Sequence, residues 1–263
     1  MSLTLFLIYL KQVSYAKKDS SKRLDESDQQ KMDLSKFDEN DPRQHQMKLL
    51  FGCGIHFGFR GSKEHVFLET SNMTHGSFPR GHPFFGCDWY GVDGLLDKTH
   101  KLSVHKDHVR CNENFMRTPL VNDDPTSSDF GGCIKRYLEK MSPGQIRMYC
   151  KVIPEEQRST NKDRELLMFY ANCLLGRNYI LDLFKEGAAI LGLPNPQSFS
   201  AHSLRAMFIT KLSNGEGVND EERMASSRHE SVSASAIYQE RNSVSESNKF
   251  ASLGISPPNK KMR

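Results

Sequence analysis

A run of 13 residues constrains this chain most: Met47 to Phe59, MKLLFGCGIHFGF, in which only Lys48 and His56 carry polar side chains. The run is shorter than the ~20 residues a membrane-crossing helix needs. An apolar run of this length without a polar stripe predicts a helix buried on all sides, around which other elements must close. The segment before it has the opposite texture. Residues 16–48 hold 8 Lys/Arg and 8 Asp/Glu in 33 positions, and their apolar residues are Ala16, Leu24, Met32, Leu34, Phe37 and Met47. Such a segment buries too little surface to offset its ordering entropy, so it reads as a linker or a loosely held arm.

The rest of the chain supports a folded body. Across 263 residues there are 16 Phe and 8 Tyr, enough to fill a core, which excludes a wholly disordered chain. No apolar run reaches membrane-spanning length, so no membrane partner is expected. The six cysteines, Cys53, Cys87, Cys111, Cys133, Cys150 and Cys173, are spread widely without a CxxC pair and predict free thiols in a reducing compartment. Leu3 to Leu10 (LTLFLIYL) lacks a basic flank and reads as a docked helix or strand rather than a secretory signal. The net charge of +4 permits a nucleic-acid partner without requiring one.

Periodicity and punctuation predict the elements. Asp88 to Val92 and Phe115 to Val121 read as strands. Helical patterns run over 129–141, stopped by Pro143-Gly144, then over Arg164 to Leu175, Asn178 to Leu191, closed by Pro194 and Pro196, and Ser203 to Leu212. Two short helices, Asn219 to Ala225 and Ser231 to Glu240, precede the basic tail 256–263 (SPPNKKMR). The expected fold is mainly α with a small antiparallel β-sheet (α+β), the sheet lying in the N-terminal half.

The chemistry concentrates in a few residues. His202-Ser203-Leu204-Arg205 sets an imidazole and a guanidinium at i and i+3 on one helical face. His229 follows Arg205 by 24 residues, and Tyr238 follows His229 by nine. Upstream, Arg60 closes the apolar run inside Gly58-Phe59-Arg60-Gly61, and a buried helix end suits an arginine poorly unless something anionic meets it. Together these side chains suit in-line attack on a phosphodiester. Guanidinium forks grip non-bridging phosphate oxygens and stabilise charge in the transition state. A tyrosine phenol, with a pKa near ~10, needs a base or a positive field to attack. Histidine supplies the base, and lysine protonates a leaving alkoxide.

The order Arg…Lys…His-x-x-Arg…His…Tyr resembles the tyrosine recombinase (phage-integrase-like) family, with the eukaryotic Crypton-type transposon recombinases as the nearest flavour. The stretches that carry it are GFRGSKEH (58–65), LGRNYI (175–180), AHSLRAMFITKL (201–212) and SSRHESVSASAIYQ (226–239). The resemblance spans about residues 40 to 255. It implies that Arg60 and Arg205 clamp the scissile phosphate, that His202 is the general base and that His229 is a second hydrogen-bond donor to the phosphate. Tyr238 is implied as the nucleophile that forms a 3′-phosphotyrosyl bond and releases a 5′-hydroxyl. Lys98, in LLDKTHKL (95–102), is taken as the hairpin lysine, with Lys101 and Lys106 as competitors. No cofactor and no metal are implied, since the bond energy is conserved in the phosphotyrosine. The implied partners are double-stranded DNA and further copies of the chain, in the nucleus.

Three departures from the family pattern stand out. Lys63 occupies the place, three after the first arginine, where the family often has an acid, and Glu64 sits one further on. Residues 71–128 are long for the hairpin. Only 59 residues precede Arg60, which predicts an N-terminal segment and linker over 1–40 with a truncated or absent DNA-gripping domain, a catalytic domain over 41–255, and a tail over 256–263. The alternatives to recombination are a non-cleaving DNA-binding protein derived from a recombinase, and type IB topoisomerase-like relaxation. A further cluster, His100, His105, His108 and Cys111, has zinc-suited donors but no familiar zinc-module spacing.

Overall fold

The computed structural model describes residues 24, 26–59, 61–93, 117–161, 166–214, 250–251 and 253–256. They form a mixed α+β structure of helices and small antiparallel sheets. The one-turn helix α1 (Glu26–Gln30) and a 3-10 turn at Leu34–Lys36 lead into α2 (Pro42–Phe57). The helix begins earlier than the apolar run because Asp41 caps it. Its carboxylate accepts from the backbone N–H of Arg43 (2.8 Å) and Gln44 (3.4 Å), and Pro42 supplies a preset φ in the first turn. Every residue of α2 except Arg43 and Gln44 is buried, as expected for a central helix.

Glycines let the neighbours close on α2. A Cβ at Gly52 would lie 2.0 Å from Phe130, and one at Gly54 would lie 2.6 Å from Leu204. Phe130 opens α4 (Phe130–Glu139), and Leu204 belongs to α6 (Ala201–Asn214). Between these in sequence, α5 (Arg177–Ile190) offers its own Gly187 to Phe51 of α2, where a Cβ would lie 2.5 Å away. Three helices thus reach α2 through positions lacking a side chain, at separations where a methyl group would force a shift. The short α3 (Ser62–Val66) follows the end of α2 and lies against α5.

Beside this helical core lies a three-stranded sheet of order β1-β2-β3, all antiparallel: β1 (Met73–Ser77), β2 (Asp88–Val92) and β3 (Arg117–Pro119). Met73 faces Val92 and Trp89 faces Pro119, so the expected strand at 88–92 is present and the one at 115–121 is described as 117–119. Trp89 covers Gly76 on one neighbour, and Arg117 of the other lies 4.1 Å above its ring.

Two expectations are corrected. Of the expected helix Arg164 to Leu175, the described residues 166–175 are not helical. They contribute β6 (Leu166–Leu167), paired with β5 (Thr160–Asn161), and β7 (Tyr170–Leu174), paired with β4 (Cys150–Val152). Tertiary contacts override the local helix propensity here. The Tyr170 ring stacks on Tyr137 at 4.5 Å, its hydroxyl donates to the Pro42 carbonyl at 3.0 Å, and its carbonyl accepts from Ser142. These contacts hold an extended strand in the core and extend the β content past the N-terminal half.

Residues 34–48 are also not loosely held. Leu34 and Phe37 are buried, and Glu39 is enclosed by cations. Lys48 Nζ donates to Glu39 Oε1 at 2.7 Å, and Arg136 grips the same carboxylate through Nε (2.6 Å) and Nη2 (2.9 Å). Lys48 also donates to the carbonyls of Pro125 (3.1 Å) and Ser127 (2.7 Å), and Lys140 donates to the Glu39 carbonyl at 2.8 Å. The expected segments at Leu3–Leu10, Asn219–Ala225 and Ser231–Glu240 lie outside the described residues.

Candidate functional site

α2 ends at Gly58, which adopts the left-handed conformation (φ 60°, ψ 41°) that favours glycine. It also lies hard against α6. A Cβ there would come within 2.5 Å of the Phe208 ring, so no side chain fits. One turn earlier on α6, the buried Arg205 donates from Nη1 to the Gly58 carbonyl at 2.6 Å. The bond gives the helix-end carbonyl a charged partner and uses one of the five N–H donors of the guanidinium. The His-x-x-Arg helix and the turn that runs into Gly58-Phe59-Arg60-Gly61 therefore touch, although 147 residues separate them.

Two of the six expected site residues lie within the described structure. His202 is exposed at the start of α6, and Arg205 follows one turn later, closed over by the Gly58 turn. Arg60, Lys98, His229 and Tyr238 lie outside the described residues, as do His100, His105, His108 and Cys111 of the zinc-suited cluster. The described cysteines Cys53, Cys87, Cys133, Cys150 and Cys173 are free thiols, and burial pushes Cys53 up to about 12, so it stays protonated. Among the described residues no helix is long and apolar enough to cross a membrane.

Arg177 had no assigned role in the sequence reading. It opens α5 in the LGRNYI stretch, is exposed, and donates from Nε to Ser62 Oγ at 3.1 Å. Ser62 starts α3, just beyond Gly61. The 58–62 segment is thus met by arginines from two helices, Arg205 at its beginning and Arg177 at its end. The available signal was an arginine directly after Gly176 at a helix start. Its spatial partner was not legible, because 115 residues intervene.

A different cluster has the outline of a metal centre. Glu39, His45 and Cys133 each bring one donor atom within 4.8 Å of the others, all buried. Its chemistry does not fit a cation. Both carboxylate oxygens of Glu39 are taken by Lys48 and Arg136, so a metal ion would enter among positive charges. Burial pushes the Cys133 thiol well above its ordinary range, and the nearby Glu39 charge adds to this, whereas a metal takes the thiolate. Burial also lowers His45 to about 3, against the opposing pull of Glu39, so it is a neutral ring in the core. Burial alone raises Glu39, but the hydrogen bonds from Arg136 and the adjacent Lys48 ammonium outweigh it and hold the carboxylate below its ordinary range. The cluster is a structural ion cage.

No family model, no curated protein and no solved structure matches this chain.

Proposed function

We propose that this chain is a tyrosine-recombinase-like protein that cleaves and rejoins double-stranded DNA through a 3′-phosphotyrosyl intermediate. The observation that carries the reading is the 2.6 Å bond from Arg205 to the Gly58 carbonyl. It ties the His202/Arg205 helix to the turn that leads directly into Arg60, which is the adjacency a two-arginine phosphate clamp requires. The residue order along the chain supplies the rest of the reading. Arg60 and Arg205 hold the non-bridging oxygens, and His202 and His229 assist them by proton transfer and hydrogen bonding. The Tyr238 hydroxyl oxygen attacks phosphorus, the bond to the 5′ oxygen breaks, and Lys98 protonates the departing alkoxide. A free 5′-hydroxyl from another strand reverses the step, so several copies of the chain act together on DNA, in the nucleus.

The test is covalent trapping. The full chain is incubated with a pool of random-sequence duplexes carrying a nick, so that a short 5′-hydroxyl strand diffuses away after cleavage. A protein–DNA adduct that survives denaturing electrophoresis is expected from the wild type. It is expected to vanish with Tyr238→Phe and to fall by about 10²–10³-fold with Arg205→Ala, the loss typical of one transition-state donor. Salt-dependent DNA binding without any adduct would replace this reading with that of a non-cleaving DNA-binding protein. Relaxation of supercoiled plasmid without site preference would point to topoisomerase-like activity.

A further inference from the structure

A cavity of about 280 Å³ lies on the side of the molecule where the far end of α6 meets the Leu34 turn, the second half of α2 and residues 253–256. Leu34, Ile55, Phe130, Leu253 and Ile255 provide an apolar wall. The Asp129 carboxylate beside it is already committed. The Asp129 Oδ2 accepts from the backbone N–H of Val121 (3.1 Å), Asn122 (2.9 Å) and Gly132 (3.3 Å). The His56 ring stacks on Phe130 at 4.9 Å. Lys211 differs from Asp129. It lines the cavity, and desolvation alone pushes its ammonium below the ordinary lysine range. Among the described residues, no carboxylate, carbonyl or hydroxyl bonds its Nζ.

We propose that this cavity binds a small amphipathic carboxylate, with its apolar body against the Leu34, Ile55 and Phe130 wall and its carboxylate on Lys211 Nζ. A partly dehydrated ammonium carries a cost that an anion offsets and a neutral apolar guest does not. One cation matches one negative charge, which disfavours polyphosphates. The volume is at the small end of the roughly 300–1,000 Å³ usual for ligand pockets, which disfavours nucleotide-sized molecules. The site is separate from the Arg205–Gly58 contact and stands whether or not the chain cleaves DNA.

The test uses three probes with the same eight-carbon body and different heads: octanoate, 1-octanol and octylammonium. Isothermal titration into the full chain is expected to give saturable octanoate binding, with octanol at least about tenfold weaker and octylammonium weaker still, as one charge-assisted contact implies. Lys211→Met is expected to abolish the octanoate preference while octanol binding persists, and Lys211→Arg to retain it. The head-group series on the wild type decides the matter even if Lys211→Met does not fold. Equal affinity for all three probes, or no saturable octanoate binding, overturns the proposal.

Discussion

Lys48 and Lys211 are both drawn out of water, and the molecule treats them in opposite ways. Lys48, fully buried in α2, finds the Glu39 carboxylate and the carbonyls of Pro125 and Ser127, three acceptors for three ammonium protons. Lys211, on the last turn of α6, faces a cavity and meets no such set among the described residues. A saturated ammonium is part of the scaffold, because nothing further can be added to it. An unsaturated one at a cavity wall retains donors for something from outside. The same reasoning separates the Glu39–His45–Cys133 cluster from a metal centre, since its carboxylate is already used.

The largest test of this contrast is Glu39→Gln. It leaves Lys48 and Arg136 buried without their counter-charge and is expected to cost about 3–5 kcal/mol in urea unfolding. A loss below about 1 kcal/mol would mean that the cage is not structural. Next in size is Gly58→Ala, which combines a left-handed backbone with contact against Phe208. It is expected to cost about 1–3 kcal/mol and to loosen the Arg205 contact. Tyr170→Phe removes the hydroxyl that donates to the Pro42 carbonyl and is expected to cost about 1 kcal/mol, read from the shift in urea midpoint.

The smallest effects concern pH. Glu39 titrates below its ordinary 4.5 in the folded chain, so its contribution is complete above that pH and is lost as pH falls through the folded value. Urea midpoints between pH 5 and pH 2 should therefore fall more steeply for the wild type than for Glu39→Gln. Lys211 has the opposite sign. Its folded pKa lies below 10.5, so the unfolded chain binds more protons and stability rises as pH climbs towards that value. Lys211→Met should flatten this alkaline limb and leave stability at pH 7 unchanged or slightly raised. A large loss at pH 7 would show that the lysine is saturated after all.

The sequence disclosed features whose signals are local. The 47–59 run announced a helix buried all round, and Asp88 to Val92 read correctly as a strand. The start of α2 is not marked by hydrophobicity but by Asp41-Pro42, a cap followed by a preset φ. Leu166 to Leu174 was misread because its leucines and aromatics suit a helix, while its actual state depends on Tyr137 and Pro42 far away in the chain. That His202 and Arg205 share one helix was legible from their spacing. The Arg205–Gly58 and Arg177–Ser62 bonds were not, since no short-range pattern encodes a pairing across 147 or 115 residues. The charge balance of residues 16–48 suggested a loose arm because a composition count cannot see that one acid, Glu39, sits within reach of Lys48, Arg136 and Lys140.

Gly58 carries a consequence for the order of assembly. The turn after α2 rests on Phe208 and Arg205, which belong to a helix made much later on the ribosome. A nascent chain that has emerged only as far as α5 holds α2 with its exit unsupported and with the apolar flank that Leu204 will cover still open to water. Long-range closure of this kind slows folding and prolongs exposure of sticky surface. The turn leading into Arg60 therefore gains its full support only after α6 has been made.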